Sequence, residues 1–276
     1  MSDPLDANAS AFEIADAVRN GTHTAAAVVE STLARIAREN PVVNAFTAIA
    51  FERARSKAVA IDAARGNGAT MGPLAGVPFG VKAMIDVAGL TTTAGSALHR
   101  DDPPAARDAH VVQRLEAMGG ICIGPMNMDE FGMGGTTQNA TFGCTRNPHD
   151  LSRTPGGSSG GSAAGVAAGF VPIALGADGL GSIRLPASLC GVFGLRPTQG
   201  VVPRHGPPGE SHTISIVGPM ARCAHDIALT QDALRDGTDT LGRLFASPVN
   251  IAGLRVARAG GYFAERIDPD AADAVA

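Results

Sequence analysis

Pro155-Gly-Gly-Ser-Ser-Gly-Gly-Ser162, Val166-Ala-Ala-Gly-Phe-Val-Pro-Ile-Ala-Leu175 and Gly176-Ala-Asp-Gly-Leu-Gly-Ser182 follow one another closely, and their reading decides the fold. A Gly/Ser run alone describes a flexible linker, but linkers carry no interleaved apolar run such as Val166–Leu175. The middle segment asks to be buried, so the runs on either side are folded loops between packed elements. Ser162-Ala-Ala-Gly-Val-Ala-Ala168 is compatible with a helix.

Three motif readings compete for the Gly/Ser cluster. A phosphate loop needs a Gly followed by Lys, and the chain has none. Gly157-Ser-Ser159-Gly-Gly161 matches the G-x-S-x-G nucleophile elbow in form, but that elbow follows a strand, and Arg153-Thr-Pro-Gly156 is no buried strand. The third reading takes the whole arrangement and is given below.

Working outward, local signals alternate between helix and strand. Ser10 and Glu13 have capping-box spacing, Phe12, Ile14 and Val18 supply apolar positions, and Gly21 stops the helix. A second helix is predicted after Thr24, with Val29, Leu33 and Ile36 on one face, ending before Pro41. A third runs from about 51 to 65. Val77–Lys82 reads as a short buried strand, about 106–118 as helix, and Ile121–Ile123 as strand. Beyond the Gly/Ser region, 236–250 reads as a surface loop and Leu254–Ala257 as a strand, while Asp268 and Pro269 open a helix with no stop signal. The alternation predicts an α/β layer architecture.

Composition narrows the function. The 276 residues hold 22 basic and 26 acidic side chains, a net charge of -4, which offers no field for nucleic acid. Hydrophobic residues are 45% and charged residues 17%, too apolar for a disordered chain, with a core of Val, Ile, Leu and Ala because aromatics are only 4%. Glycine, 35 residues, is about 13% against a usual roughly 7%, so many backbone positions need unusual dihedrals or close approach. No apolar stretch has membrane-helix length and the start lacks the regions of a secretory signal, so a cytoplasmic protein is expected. Cys122, Cys144, Cys190 and Cys223 form no C-x-x-C pair and read as buried or inert thiols. No histidine pair has metal-ligand spacing, and Asp129 and Glu130, being adjacent, point apart and read as structural. His205 and His212 flank a Pro/Gly loop and are candidates for lining a substrate entrance.

Gly76-Val-Pro-Phe-Gly-Val-Lys82, Asn127-Met-Asp-Glu-Phe131, Gly156-Gly-Ser-Ser-Gly-Gly-Ser162 and Gly181-Ser-Ile-Arg-Leu-Pro-Ala187 leading to Cys190-Gly-Val-Phe-Gly-Leu-Arg-Pro-Thr198 occur in this order. Together they resemble the amidase signature family, serine hydrolases that cleave carboxamides with a Ser, a second Ser held by a cis peptide, and a Lys. The resemblance spans most of the chain, densest from Pro73 to Gly200. It implies a mixed β-sheet flanked by helices on both faces, one domain over 1–276 with a helical lead-in at about 10–66 and a catalytic core at about 73–200. Family members are substantially longer, and their later portion completes the sheet and pocket, so the resemblance also implies an incomplete C-terminal part, an exposed apolar sheet face and an unfinished pocket.

Carried over residue by residue, the resemblance makes Ser182 the nucleophile, Ser158 the bridging serine after a cis Gly157–Ser158 bond, and Lys82 the base. It assigns Gly179, Leu180, Gly181 and Met133 to the oxyanion hole and substrate contacts. A serine hydroxyl needs a neighbouring base, and lysine serves only when neutral, which means bringing its pKa from about 10.4 to roughly 7 to 8, worth about 4 kcal/mol. Burial supplies that shift, and Lys82 follows the apolar Val77–Val81 run. Two departures stand out. The family usually has glycine at the place of Leu180, where a left-handed backbone would strain a leucine, and lysine at the place of Arg196. Arg184 is expected to orient the loop by pairing with a carboxylate such as Asp178.

The expected activity is cleavage of a small carboxamide through an acyl-enzyme, with no metal or organic cofactor. Lys82-Ala-Met-Ile-Asp-Val87, Asn147-Pro-His-Asp150 and Pro186-Ala-Ser-Leu-Cys190 look most similar to the 1-carboxybiuret hydrolase group. The A subunit of aspartyl/glutamyl-tRNA amidotransferase, releasing ammonia from glutamine, is the second reading, and a non-catalytic interaction scaffold is the third. A small amide substrate, and a homodimer or a small C-like subunit, are the expected partners, with neither nucleic acid nor membrane bound directly.

Overall fold

In the computed structural model, which describes residues 3–202, 214–235, 252–255, 260–265, 269 and 272–273, the chain enters through helices whose ends follow their capping chemistry. Ahead of α1 (Ala11–Asn20), the Ser10 hydroxyl accepts the Glu13 N–H at 3.1 Å and the Glu13 carboxylate accepts the Ser10 N–H at 3.0 Å. Gly21 closes the helix in the left-handed region at φ 74°. Ile14 and Val18 are buried, whereas Phe12 is exposed, its ring 4.9 Å from that of His225.

Helix α2 (Ala25–Val43) begins after Thr24 but runs through Pro41 instead of ending before it. Pro41 denies a donor to the Ala37 carbonyl, and Ala37 is exposed, so water can take the place of the lost bond. Asn40 then captures the exit, its side-chain oxygen accepting the N–H groups of Ala45 and Phe46 at 2.8 Å each. After α3 (Phe51–Gly66) and strand β1 (Pro78–Lys82), helix α4 (His110–Ala117) starts later than its apolar pattern suggests. Asp108 is drawn away to Arg53, at 2.7 Å, and to the Ala88 N–H, at 2.8 Å, while the Ala109 N–H bonds the Asp86 carbonyl.

Strand β2 (Ile121–Met126), the small hairpin β3 (Gln138–Asn139) and β4 (Gly143–Cys144), helix α5 (Gly160–Ala167), strand β5 (Ile173–Asp178), helix α6 (Arg184–Leu189), strands β6 (Phe193–Gly194) and β7 (Ile216–Ala221) and helix α7 (Ala224–Leu234) follow. The main sheet has the order β2-β1-β5-β7-β6. β1 lies parallel to β2 and β5, and β7 runs antiparallel to β5 and β6, so the sheet is mixed. Every residue of β1, β2 and β5 is buried, the pattern of strands covered on both faces. Helices α2 and α5 pack on β1, α3 and α4 on β2, and α7 on β7. The architecture is a mixed sheet flanked by helices. The expected exposed sheet face is not found on the central strands, because these helices cover it.

Contacts divide the chain into Met1–Arg243 and Leu244–Ala276. In the second unit, Leu254 and Arg255 are exposed and are not in a strand, contrary to expectation; residues 256–257 lie outside the described residues, as do the expected loop at 236–250 and Asp268. Pro269, Ala272 and Asp273 are helical, and Tyr262–Glu265 forms a turn of helix. Among the described residues no helix is long and apolar enough to cross a membrane, and no His, Cys, Asp or Glu cluster is arranged to hold a metal ion.

Candidate active site

Lys82 is the last residue of β1, and the loop carrying Ser182 leaves the C-terminal end of β5, its parallel neighbour. In open α/β sheets such strand ends are where ligands bind. The turn before α5 brings the third group. The Gly157–Ser158 peptide is cis, and Lys82 Nζ donates to Ser158 Oγ at 2.7 Å, with the Ala177 carbonyl a further acceptor at 3.5 Å. Lys82 and Ser158 are each 1% exposed.

The turn itself is bracketed from outside. Thr137 Oγ1 donates to the Gly156 carbonyl at 2.8 Å and accepts the Gly160 N–H at 3.1 Å. A Cβ at Gly157 would stand 2.0 Å from Asp129 Oδ2, so the close approach requires glycine. That carboxylate accepts the N–H groups of Thr136 and Thr137, while Glu130 accepts the Ser96 hydroxyl at 2.6 Å. The adjacent acids therefore serve different partners, as their spacing implies. Ser159 is buried and exchanges hydrogen bonds with the Ala177 backbone at 3.3 Å, which ties it to β5.

Ser182 lines the same cavity as Lys82 and Ser158, a space of about 480 Å³. Its carbonyl accepts the Ser159 N–H at 3.2 Å, whereas its hydroxyl makes no hydrogen bond to Ser158 among the described residues. Asp178 organises the loop. Its fully buried carboxylate accepts the Gly181 N–H at 2.7 Å and the Ile183 N–H at 3.2 Å, and it grips Arg184 through Nε at 3.0 Å and Nη2 at 3.1 Å. Burial alone would raise the Asp178 pKa, but Arg184 and the backbone N–H groups outweigh it and hold the group below its ordinary value. The guanidinium of Arg184 is raised in return. Arg196 reaches the Asp178 carbonyl at 3.3 Å and the Ile214 carbonyl at 2.9 Å.

The N–H of Gly181 donates to Asp178, while among the described residues no acceptor takes the N–H groups of Gly179, Leu180 or Ser182. Leu180 is not in the left-handed region, so the leucine is unstrained there, and it is 91% exposed. Met133, at 85% exposure, lines the cavity. Sequence reasoning missed Met84, Leu185, Ile214 and Ser215, which line the cavity through contacts distant in sequence. His205 and His212 lie outside the described residues. Of the thiols, Cys122 and Cys190 are buried with their pKa pushed by desolvation to about 12, but Cys144, on the short β4, is exposed.

A family model described as amidase matches residues 27–275. The chain is 47% identical over 273 residues to AtzE, a 1-carboxybiuret hydrolase subunit of Pseudomonas sp. (strain ADP), covering 95% of this chain and 60% of that protein. It is 46% identical over 223 residues to the glutamyl-tRNA(Gln) amidotransferase A subunit of Chlamydia felis, covering 81% of this chain and 45% of that protein. A solved structure described as an unexpected vestigial protein complex that reveals the evolutionary origins of an s-triazine catabolic enzyme superposes with a TM-score of 0.81 at 48% identity. That match covers 83% of this chain and 50% of the other. The chain thus spans about half the length of the relatives it matches.

Proposed function

Since the chain belongs to the amidase signature family, we propose that its protein hydrolyses the carbon–nitrogen bond of a small carboxamide, with Ser182 as nucleophile, Ser158 as proton bridge and Lys82 as base. The observation that carries this reading is the buried 2.7 Å contact between Lys82 Nζ and Ser158 Oγ, opening on the cavity that Ser182 lines. A Lys in hydrogen-bond reach of a hydroxyl, out of water, can take and return a proton.

Ser182 Oγ attacks the carboxamide carbon, and its proton passes to Ser158 as the Ser158 proton passes to Lys82. The oxygen that gains charge faces backbone N–H groups of the 179–182 loop, where fixed dipoles count most. The C–N bond then breaks, and the departing nitrogen takes a proton from Ser158, which Lys82 replenishes. Water attacks the resulting ester along the same path, its proton travelling to Lys82 and back to Ser182 Oγ as the acid leaves. The steps use no metal or organic cofactor. A turn of the Ser182 hydroxyl toward Ser158 completes the relay, and such tightening on substrate binding is ordinary.

A fluorophosphonate, with the adduct mapped by mass and the labelling repeated on Ser182→Ala, tests the assignment. An adduct on Ser182 is expected. Its absence in folded protein refutes the enzyme reading and leaves a scaffold; an adduct on Ser159 points to the elbow. A second reading, ammonia release from glutamine, is favoured by the amidotransferase similarity, and comparing ammonia release from glutamine and from a biuret derivative separates the two. Both named relatives are subunits, which supports a small C-like subunit or a second copy as partner.

A further inference from the structure

The backbone of residues 130–133 lies over the reacting pair. A Cβ at Gly132 would stand 3.6 Å from Ser158 Oγ and 3.8 Å from Lys82 Nζ, so the bare backbone covers both groups, each of which is 1% exposed. Main-chain bonds fasten this strip to the end of β1. The Ala94 N–H donates to the carbonyl of Ala83, the residue after Lys82, at 3.0 Å, and the Ala94 carbonyl accepts the Phe131 N–H at 2.9 Å. Asn139 adds a second tie, its Nδ2 donating to the Gly95 carbonyl at 2.7 Å and to the Met128 carbonyl at 2.9 Å.

The strip is held in a conformation it would not keep alone. Four non-glycine residues among those described have positive φ, and three belong to this frame: Ala94 at 48°, Phe131 at 53°, and Thr137, which brackets the turn at Gly156 and Gly160, at 53°. Asn44, the fourth, ends α2. Such backbones cost free energy and persist only where surrounding contacts over-determine them. Glu130 supplies a fastening from the residue before Phe131. Its carboxylate accepts the hydroxyl of the fully buried Ser96 at 2.6 Å, the length of a charge-assisted bond. Ser96 also accepts the Leu98 N–H at 3.2 Å, opening the helical turn Ala97–His99, and the His99 ring meets Phe131 edge-on at 5.9 Å. One hydroxyl thus fixes Glu130 directly and Phe131 through His99. Glu130 is not among the residues lining the cavity, so its influence on the reacting groups runs through Gly132.

We infer that Glu130, gripped by Ser96, is a positioning residue for the proton relay: it holds Gly132 against Lys82 and Ser158 and so fixes the two groups that pass the Ser182 proton. The inference rests on the reading of Ser182, Ser158 and Lys82 as that relay. Fluorophosphonate labelling tests it. Ser182 Oγ bonds to phosphorus, the P–F bond breaks, fluoride leaves with the electron pair, and the Ser182 proton passes through Ser158 to Lys82.

Glu130→Ala is expected to slow the saturating labelling rate about 10- to 100-fold, the effect of a misplacement of up to about 1 Å, with the half-saturating probe concentration unchanged within about twofold. Glu130 is exposed, and circular dichroism checks that the variant is folded. Glu130→Gln, whose amide oxygen still accepts the Ser96 hydroxyl, restores the rate to within about threefold of the parent. Ser96→Ala repeats the test from the other partner: it slows labelling as Glu130→Ala does, and the double variant is no slower than either alone. In Lys82→Met, which has no base to position, Glu130→Ala changes the residual rate by less than about twofold, whereas a general loosening of the fold would slow it there as well. Labelling of Ser182 within about threefold of the parent in folded Glu130→Ala or Ser96→Ala, a Gln variant as slow as the Ala variant, or equal slowing with and without Lys82 overturns the inference alone. No adduct on Ser182 in the folded parent overturns the catalytic reading together with it.

Discussion

Asp178→Asn keeps the shape of the side chain and changes one oxygen into a donor, at a position where every neighbour is already a donor. One oxygen faces the Gly181 N–H and Arg184 Nη2; the other faces the N–H groups of Ile183 and Arg184 and the Arg184 Nε. Whichever oxygen is lost, at least two bonds to a charged acceptor go, and two donors oppose a new N–H. Bonds to charged groups are worth about 1.5–3 kcal/mol each, and removing one partner of a buried pair costs about 3–5 kcal/mol. Arg184 is half exposed and recovers water, so we expect about 3 kcal/mol lost in urea unfolding. The same change frees the 179–184 loop, and a displacement of about 1 Å at a reacting atom costs on the order of 100-fold; fluorophosphonate labelling of Ser182 should slow by that factor. The pH dependence has a fixed sign. The folded pKa of Asp178 is depressed, so its contribution is present above about 3.9, the ordinary value, and is lost as pH falls through the folded value. Asn should remove that part of the acid limb. Destabilisation under about 1 kcal/mol with labelling within threefold of the parent would refute Asp178 as the organiser of the loop.

Lys82→Met fills similar space without a base and should slow Ser182 labelling by about 10²–10⁴, read from the rate of adduct formation, while the fold is retained by circular dichroism. Gly157→Ala drives a methyl into the Asp129 carboxylate and should cost about 1–3 kcal/mol in the urea midpoint. Leu180→Gly, exposed and outside the left-handed region, should change stability by no more than about 0.5 kcal/mol. Iodoacetamide at pH 8, followed by mass mapping, should modify Cys144 in the native protein while Cys122 and Cys190 react only after unfolding, because burial keeps their thiols protonated.

Much of this was legible in the residues. Ser10, Glu13 and Gly21 bound the first helix because capping chemistry acts within four residues, and the apolar runs at Val77–Lys82 and Val166–Leu175 announced buried elements because water makes the same demand wherever such runs occur. Four motif blocks in order carried the family resemblance, and that resemblance nominated Lys82, Ser158 and Ser182. What the sequence left open was always a matter of partners far along the chain. Pro41 continues a helix because an exposed turn lets water replace its missing donor, and α4 starts late because Asp108 is claimed by Arg53, 55 positions away. The cavity lining arises only where residues 131–134, 179–185 and 214–215 are folded beside Lys82 and Ser158. Hydrogen bonding within a turn or a cap is encoded in neighbouring residues; the allotment of buried donors, acceptors and cavity surface is decided by packing, which tertiary structure alone supplies.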